Sequence, residues 1–415
     1  MTFLRSLYHF CLACIGAGIY RFPSKKLVVI AVTGTKGKSS TTEMINAIFE
    51  HAGKKTAVLN SIRIKIGSES TPNTMRMSMP GRFFIESFLA RAVGARIDVA
   101  ILEMTSEGAR QHRHRGISLD ALVFTNLAPE HIESHGSFEA YADAKFQIGL
   151  QLARSHKRPR VIVANAEDNQ SARYLALPVE KKRTFSIRNT PHAANENGGH
   201  FTYNGARVTI TMPGEFSIEN ALAAATLADA FGISTPTIAQ ALETITIIPG
   251  RAEKIEAGQD FAVVVDYAHT PESLKALYEA YANTRKICVL GSTGGGRDKW
   301  KRPVMGKIAS EYCDTIILTN EDPYDEDPRT IIEELASQMK SKPEVIVDRR
   351  QAIARGIARA TALRQAQTNK NDCAVLITGK GTDPTIQGPR HTSIPWNDAQ
   401  VAREEIAKAI GKKTV

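Results

Sequence analysis

The chain reads as an α/β protein with two sheet-bearing domains. Three observations predict this. Short runs rich in Val, Ile and Leu recur along the 415 residues. Helix-like patterns alternate with them, and the runs fall into two series on either side of Pro249-Gly250. Near-continuous apolar runs mark strands buried on both faces, as in parallel sheets with helices packed above and below. Two such series call for two domains, and a chain of this length can bury two or three cores.

The first series comprises 26–32 (KLVVIAV), 98–104 (DVAILEM), 120–127 (DALVFTNL) and 160–166 (RVIVANA). The second comprises 261–267, 286–292, 315–320, 344–349 and 373–379. Between them, residues 200–214 read as a hairpin turning at Asn204-Gly205. Residues 217–233 predict an Ala/Leu-rich helix, opened by Ser217 and stopped at Gly232. The stretch 189–199 (NTPHAANENGG) reads as a polar surface loop. The expected domains are an N-terminal apolar helix (1–23), a central P-loop domain with a parallel sheet (24–247) and a C-terminal Rossmann-like α/β domain (248–415).

A formal net charge of +10 favours anionic ligands. Lys and Arg are spread rather than massed in a stripe, which argues against nucleic acid. The five cysteines include one close pair, Cys11 and Cys14, with no second pair to complete a zinc site. The sparse set reads as packed thiols in a reducing compartment. Residues 6–20 carry no charged side chain and are short for a membrane span. They read as an amphipathic or core-packed helix, with membrane-surface contact as the other reading.

The stretch GTKGKSS (34–40) follows a buried strand and opens a helix. Backbone N–H groups of Gly34, Thr35, Lys36 and Gly37 can close around phosphates, and the helix N-terminus adds its positive dipole end. Lys38 would reach the β- and γ-phosphates, and the hydroxyl of Ser39 or Ser40 would hold Mg²⁺. The loop is short: Val32 stands where the longer Walker pattern has its first glycine. The tetrapeptide NKND (369–372) matches a guanine-reading motif, but it precedes a strand instead of ending one and reads as coincidence.

Three further segments, FTNLAPEHIESHGSFEAYADAKF (124–146), VVVDYAHTPESLKAL (263–277) and GSTGGGRDKWKRPVMGKIA (291–309), resemble the Mur ligases, in particular their tripeptide-synthetase (MurE) branch. IPGRAEKI (248–255) and GKGTD (379–383) match in the same order. The resemblance implies an ATP- and Mg²⁺-dependent ligase. It would phosphorylate a carboxylate of a muropeptide-type acyl substrate and let an amino acid displace the phosphate, in peptidoglycan precursor synthesis in the cytoplasm. It implies that Lys38 is the P-loop lysine, that Glu103 joins Ser39 or Ser40 on the first Mg²⁺, and that His131 holds a second. Lys145 falls at the lysine the family carbamylates. Asn126, Arg251, Asp266, Tyr267, His269, Arg297, Asp298 and Lys299 fall at nucleotide positions, closing over adenosine as the last domain swings in. Arg113, in the basic loop 108–117, falls near an arginine that meets the muropeptide. The loop itself reads equally as anion-binding or as plainly solvated. Glu321, Asp322, Tyr324, Gly379, Lys380 and Asp383 fall in the segments that select the amino acid.

The match departs from the family in three places. Only about 25 residues precede the first strand, too few for a domain that grips uridine diphosphate. A lipid-linked donor would fit the apolar segment. Tyr324 replaces the arginine of diaminopimelate-adding members and cannot make a bidentate pair with a carboxylate, which disfavours that amino acid. Lys36 replaces the usual loop asparagine. The rival readings are a folylpolyglutamate-synthase-like ligase and a catalytically silent ATP-binding partner.

Overall fold

The computed structural model describes residues 3–366 and 373–411, with the backbone alone at 3–5 and 82. The tetrapeptide at 369–372 lies outside the described residues. The chain divides into two compact units. One comprises 1–193, 198–211 and 215–246; the other comprises 194–197, 212–214 and 247–415.

The first unit is built on eight strands. In chain order these are β1 (Val28–Thr33), β2 (Thr56–Leu59), β3 (Arg63–Ile66), β4 (Glu69–Pro72), β5 (Val99–Glu103), β6 (Ala121–Phe124), β7 (Val161–Asn165) and β8 (Lys181–Phe185). They lie side by side as β4-β3-β2-β5-β1-β6-β7-β8. From β2 to β8 every pairing is parallel, while β3 and β4 add an antiparallel edge. β1 lies between β5 and β6 because its VVIAV run is apolar on both faces. β3, β4 and β8 alternate or lack apolar runs, so pattern reading did not expect them.

The unit's helices are α1 (Phe3–Ile19), α2 (Lys38–His51), α3 (Arg82–Gly94), α4 (Ser106–Arg110), α5 (Ile132–His135), α6 (Phe138–Ala153), α7 (Ser171–Leu175), α8 (Glu215–Ala230) and α9 (Thr235–Glu243). α8 is buried on nearly every side and is rich in alanine, which lets α2 approach closely. It begins at Glu215, so Ser217 lies inside its first turn instead of opening it. His192–Asn195 is a strand, β9, where a polar loop was expected. β10 (Gly198–Tyr203) and β11 (Ala206–Ile210) form the expected hairpin, with Asn204 at φ +47° and Gly205 at φ +80°.

The second unit has a six-stranded sheet: β12 (Glu253–Lys254), β13 (Ala262–Asp266), β14 (Arg285–Leu290), β15 (Thr315–Leu318), β16 (Glu344–Val345) and β17 (Cys373–Thr378). Their order is β12-β13-β17-β14-β15-β16, parallel except at β12. β16 is shorter than the EVIVDR run suggested, because helix formation resumes at Arg349. The helices are α10 (Pro271–Ala280), α11 (Lys301–Tyr312), α12 (Pro328–Ala336), α13 (Arg349–Ala366) and α14 (Asp398–Ala409). Val263, Val265, Ile287, Val289, Val375 and Ile377 build its core with Ile353 and Ile357 of α13.

The cysteines differ from expectation. Cys288, in β14, is disulfide-bonded to Cys313, which ends α11 just before the neighbouring strand β15. Cys11 and Cys14 are exposed thiols, and only Cys373 is a buried free thiol. Strand pairing brings Cys288 and Cys313 together, which spacing along the chain does not reveal.

Candidate active site

In each unit the candidate residues gather where parallel strands end. In the first, β5, β1 and β6 lie side by side and end at Glu103, Thr33 and Phe124. This carboxyl edge is where open α/β sheets bind ligands.

The loop after β1 is tightly walled. Gly34 has φ +150° and Gly37 φ +76°, conformations that side chains disfavour. A Cβ on Gly34 would lie 2.0 Å from Thr125 Oγ1, and one on Gly37 2.1 Å from Asn220 Oδ1. Thr125 Oγ1 donates to the Lys36 carbonyl (2.7 Å), and the Lys36 amide donates to Asn126 Oδ1 (2.9 Å). Thr35 Oγ1 meets Tyr141 Oη at 3.0 Å. The loop is therefore braced by side chains from three distant segments. α2 starts at Lys38, so its first amides and positive dipole end face the loop. Lys38 Nζ folds back to the Thr35 carbonyl at 2.8 Å.

Glu103 is buried beside this loop. Ser39 Oγ donates to its Oε2 at 2.8 Å, and the Ser61 amide donates to the same oxygen at 3.1 Å. Ser78 Oγ donates to Oε1 at 2.8 Å. Of the two candidate serines, Ser39 is the one on Glu103; Ser40 is half-buried elsewhere on α2. A hydroxyl and a carboxylate are hard oxygen ligands of the kind Mg²⁺ takes, and Mg²⁺ completes its shell with water and phosphate. The donor set thus fits the ion, and the glycine-lined helix start fits a polyphosphate. No group of three or more His, Cys, Asp or Glu suited to a metal occurs among the described residues.

Lys145 lies two turns into α6, which Ser137 caps by accepting from the Ala140 amide. Its Nζ donates to the Gly34 carbonyl at 2.6 Å, and the residue is 2% exposed. Burial, reinforced by the charge of Lys38, holds its pKa well below the usual lysine range against the pull of Glu130 and Glu103. His131 starts α5 in the left-handed region (φ +57°), its Nε2 4.0 Å from Glu130 Oε1. Arg113 donates to the Met79 carbonyl and, at 2.7 Å, to Gln111 Oε1, against the turn that carries Ser78.

The rest of the basic loop fits neither expected reading. His114 is fully buried, and burial with the nearby Arg115 charge lowers its pKa to about 3. His112 bonds Ser6 of α1 at 2.8 Å, and a Cβ on Gly116 would lie 2.6 Å from Ala17 Cβ. The loop is the seat of α1, and its histidines are packing groups.

In the second unit, Asp266, Gly379, Gly291 and Glu321 stand at or just beyond the ends of β13, β17, β14 and β15. Asp266 is held by the amides of Ala252 and Ala268, each at 2.6 Å, while burial raises its pKa. Arg251 stacks over the Tyr267 ring at 4.5 Å, and His269 meets the same ring edge-on at 4.7 Å. Gly250 and Gly381 approach too closely for side chains: a Cβ on Gly250 would lie 2.5 Å from the Thr382 nitrogen. Lys380 is buried and pairs with Asp322 at 2.8 Å and Asp383 at 3.1 Å. Glu321 accepts from Thr293 Oγ1 at 2.6 Å, and its Oε2 fills the space above Gly379. Tyr324, at φ +53°, packs on Gly295. Arg297 is exposed, Asp298 is buried, and Lys299 pairs with Glu326 at 3.1 Å.

Sequence reasoning missed Ser61, Ser78, Thr125, Tyr141 and Asn220. Asn220 lay within a helix already singled out, and an Asn amid alanines was a usable signal. Ser61 and Ser78 carried none, because only folding brings them to Glu103.

A braced glycine loop at a helix start, with a hydroxyl–carboxylate pair beside it on a parallel sheet, is the arrangement of a P-loop enzyme that uses a nucleoside triphosphate. Residues 32–228 match the Mur ligase middle domain, and residues 250–381 match the Mur ligase, glutamate ligase domain. The chain belongs to the Mur ligase family, ATP-dependent amide ligases of peptidoglycan precursor synthesis. A UDP-N-acetylmuramoyl-L-alanyl-D-glutamate–2,6-diaminopimelate ligase of Syntrophomonas wolfei is 36% identical, over 95% of this chain and 81% of that protein. A UDP-N-acetylmuramyl-tripeptide synthetase of Roseiflexus sp. is 34% identical, over 96% of this chain and 82% of that protein. The solved structure of Mycobacterium tuberculosis folylpolyglutamate synthase complexed with ADP shares the fold, with a TM-score of 0.71 and 16% identity, over 89% of this chain and 92% of that one. The rival reading as such a synthase therefore has support from fold alone.

Proposed function

We propose that this ligase joins an amino acid to a carboxylate of a muropeptide-type acyl substrate through an acyl phosphate. The observation that carries this reading is the Ser39–Glu103 pair beside a P-loop whose Gly34 carbonyl holds the buried Lys145. A carboxylate is a poor electrophile, and its attack on ATP brings two anions together. Positioning and positive charge therefore matter more than covalent help.

Lys38 and the first amides of α2 would hold the phosphates. Ser39 and Glu103 would hold one Mg²⁺, with Ser40 as the alternative hydroxyl; His131 and Lys145 would hold a second. Bound magnesium supplies charge neutralisation at the phosphates. For Lys145 to serve, its amine adds to CO₂, forming an N–C bond and releasing a proton, so that a cation becomes an anionic oxygen ligand. The lowered pKa supports this, because the free amine is the nucleophile. Asn126, Arg251, Asp266, Tyr267, His269, Arg297, Asp298 and Lys299 are assigned to the nucleotide, and Arg113 to the acyl donor.

Glu321, Asp322, Tyr324, Gly379, Lys380 and Asp383 are assigned to the amino acid. Lys380 is already paired with two aspartates, so it orders this wall and leaves Tyr324 as the variable group. A phenol cannot reproduce a bidentate guanidinium–carboxylate pair, so we infer an amine such as lysine or ornithine in place of diaminopimelate. We place the reaction in the cytoplasm, with the N-terminal helix at the inner membrane surface.

The test is a mass-spectrometric screen of amino acids against muropeptide donors with ATP and Mg²⁺. The expected product equals donor plus amine less one water, formed with stoichiometric phosphate release. Lys38→Ala should lower the rate by about 10²–10³-fold, the scale of losing one charge-stabilising donor. ATP binding without amine-dependent phosphate release would favour the silent-partner reading instead.

A further inference from the structure

α1 has two unlike faces. Ala13, Gly16 and Ala17 are buried, and Ser6, His9 and Tyr20 are half-buried. This underside is fastened to the protein by the Ser6–His112 bond and by the close approach of Ala17 to Gly116. The opposite face presents Leu7, Tyr8, Cys11, Cys14, Ile15 and Ile19 to solvent. Ile15 is 52% exposed, Tyr8 61% and Ile19 63%. Helix faces turned to water are ordinarily charged, and a contiguous apolar one marks a contact surface.

The flanking charge says what it contacts. α1 ends where Arg21 and Phe22 enter the left-handed region, at φ +58° and +50°. The 3₁₀ turn Pro23–Lys26 then follows, with Lys25 and Lys26 exposed. Phe22 stays exposed with the Lys25 ammonium 4.8 Å from its ring. No Asp or Glu occurs before Glu43. An apolar strip bordered by Arg21, Lys25 and Lys26, with no acidic residue nearby in sequence, is complementary to an anionic lipid surface. A 17-residue helix is about 25 Å long, and no described helix is long and apolar enough to cross a membrane. Such a helix lies in the plane of the interface.

We propose that the outer face of α1 docks the protein on anionic bilayers, with Leu7, Ile15 and Ile19 entering the acyl boundary and Arg21, Lys25 and Lys26 meeting the headgroups. This is independent of the ligation chemistry, since none of these residues belongs to the candidate site.

The test is sedimentation of the full chain with phosphatidylglycerol-containing vesicles and with pure phosphatidylcholine vesicles. Binding is expected to the first, weakening as salt rises, and at least tenfold less to the second. The triple variant R21E/K25E/K26E should bind about 100-fold more weakly, three charges each acting on the scale of such surface contacts. The double variant I15E/I19E should lose binding by at least tenfold while its thermal midpoint stays unchanged, because both side chains face outward. Equal binding to both vesicle types, no binding at all, or wild-type binding by I15E/I19E would overturn the proposal. So would a wild-type dimer that I15E/I19E converts to monomer in the absence of vesicle binding, which would assign the face to a second copy.

Discussion

Lys145 and Glu86 show how burial sets chemistry at single residues. Lys145 is surrounded by protein beside another lysine, so the native state binds fewer protons than the unfolded chain. Stability then rises with pH up to the ordinary lysine range, and the shift favours the free amine that the proposed addition to CO₂ requires. Lys145→Arg imposes a permanent cation and removes the primary amine that the proposed carbamylation needs. We expect about 10²–10³-fold slower ligation. The unaltered protein should respond to bicarbonate and gain the mass of one CO₂; bicarbonate-independent activity with no mass change would remove the modification. Glu86, in α3, is the opposite case. It is 2% exposed with no hydrogen-bond partner among the described residues, and burial lifts its pKa from the ordinary 4.5 to about 7. A raised folded pKa means stability is complete below pH 4.5 and is lost as pH rises through 7. Glu86→Gln should therefore be more stable than the native protein at pH 8 by about 3 kcal/mol, with the gap closing towards pH 5, as measured by denaturant unfolding.

Among the elements, helix packing depends on small residues at a few contacts. α11 crosses α12 at Gly306, where a Cβ would lie 1.8 Å from the Leu335 carbonyl oxygen. Backbone cannot move aside as a flexible side chain can, so Gly306→Ala must separate the two helices. A cost of about 1–3 kcal/mol in unfolding is expected, the range for an overpacked core. A neutral result would mean that α11 and α12 slide freely. α10 illustrates the opposite, a local solution. Thr270 and Ser273 form a reciprocal capping box around Pro271, so the helix after DYAHT starts where the sequence says it should. That start fixes the strand-to-helix turn carrying Asp266, Tyr267 and His269.

At the scale of the whole molecule, charge is the property that acts at a distance. A formal net charge of +10 draws anionic substrates in, and salt screens that attraction beyond about 8 Å at physiological strength. The KM for a muropeptide donor should rise several-fold between about 0.05 and about 0.5 M salt, with kcat changing less. An unchanged KM would mean that only contacts inside the site hold the donor.

The parallel sheets and the glycine-rich loop at a helix start were legible in the chain itself, while Lys38, Glu103, His131 and Lys145 have roles proposed from the family resemblance. Buried strands and a glycine-rich helix start are local patterns, and the ordered segments shared with the ligases are specific to that family. The supporting contacts were not legible. Ser61 and Ser78 reach Glu103, Thr125 and Asn220 fill the space left by two glycines, and Cys288 meets Cys313 only because strands from different parts of the chain pair side by side. The histidines of the basic loop were misread for the same reason: the charge pattern is local, but the helix packed on the loop is about 100 residues away in sequence, and burial decided what His112 and His114 became.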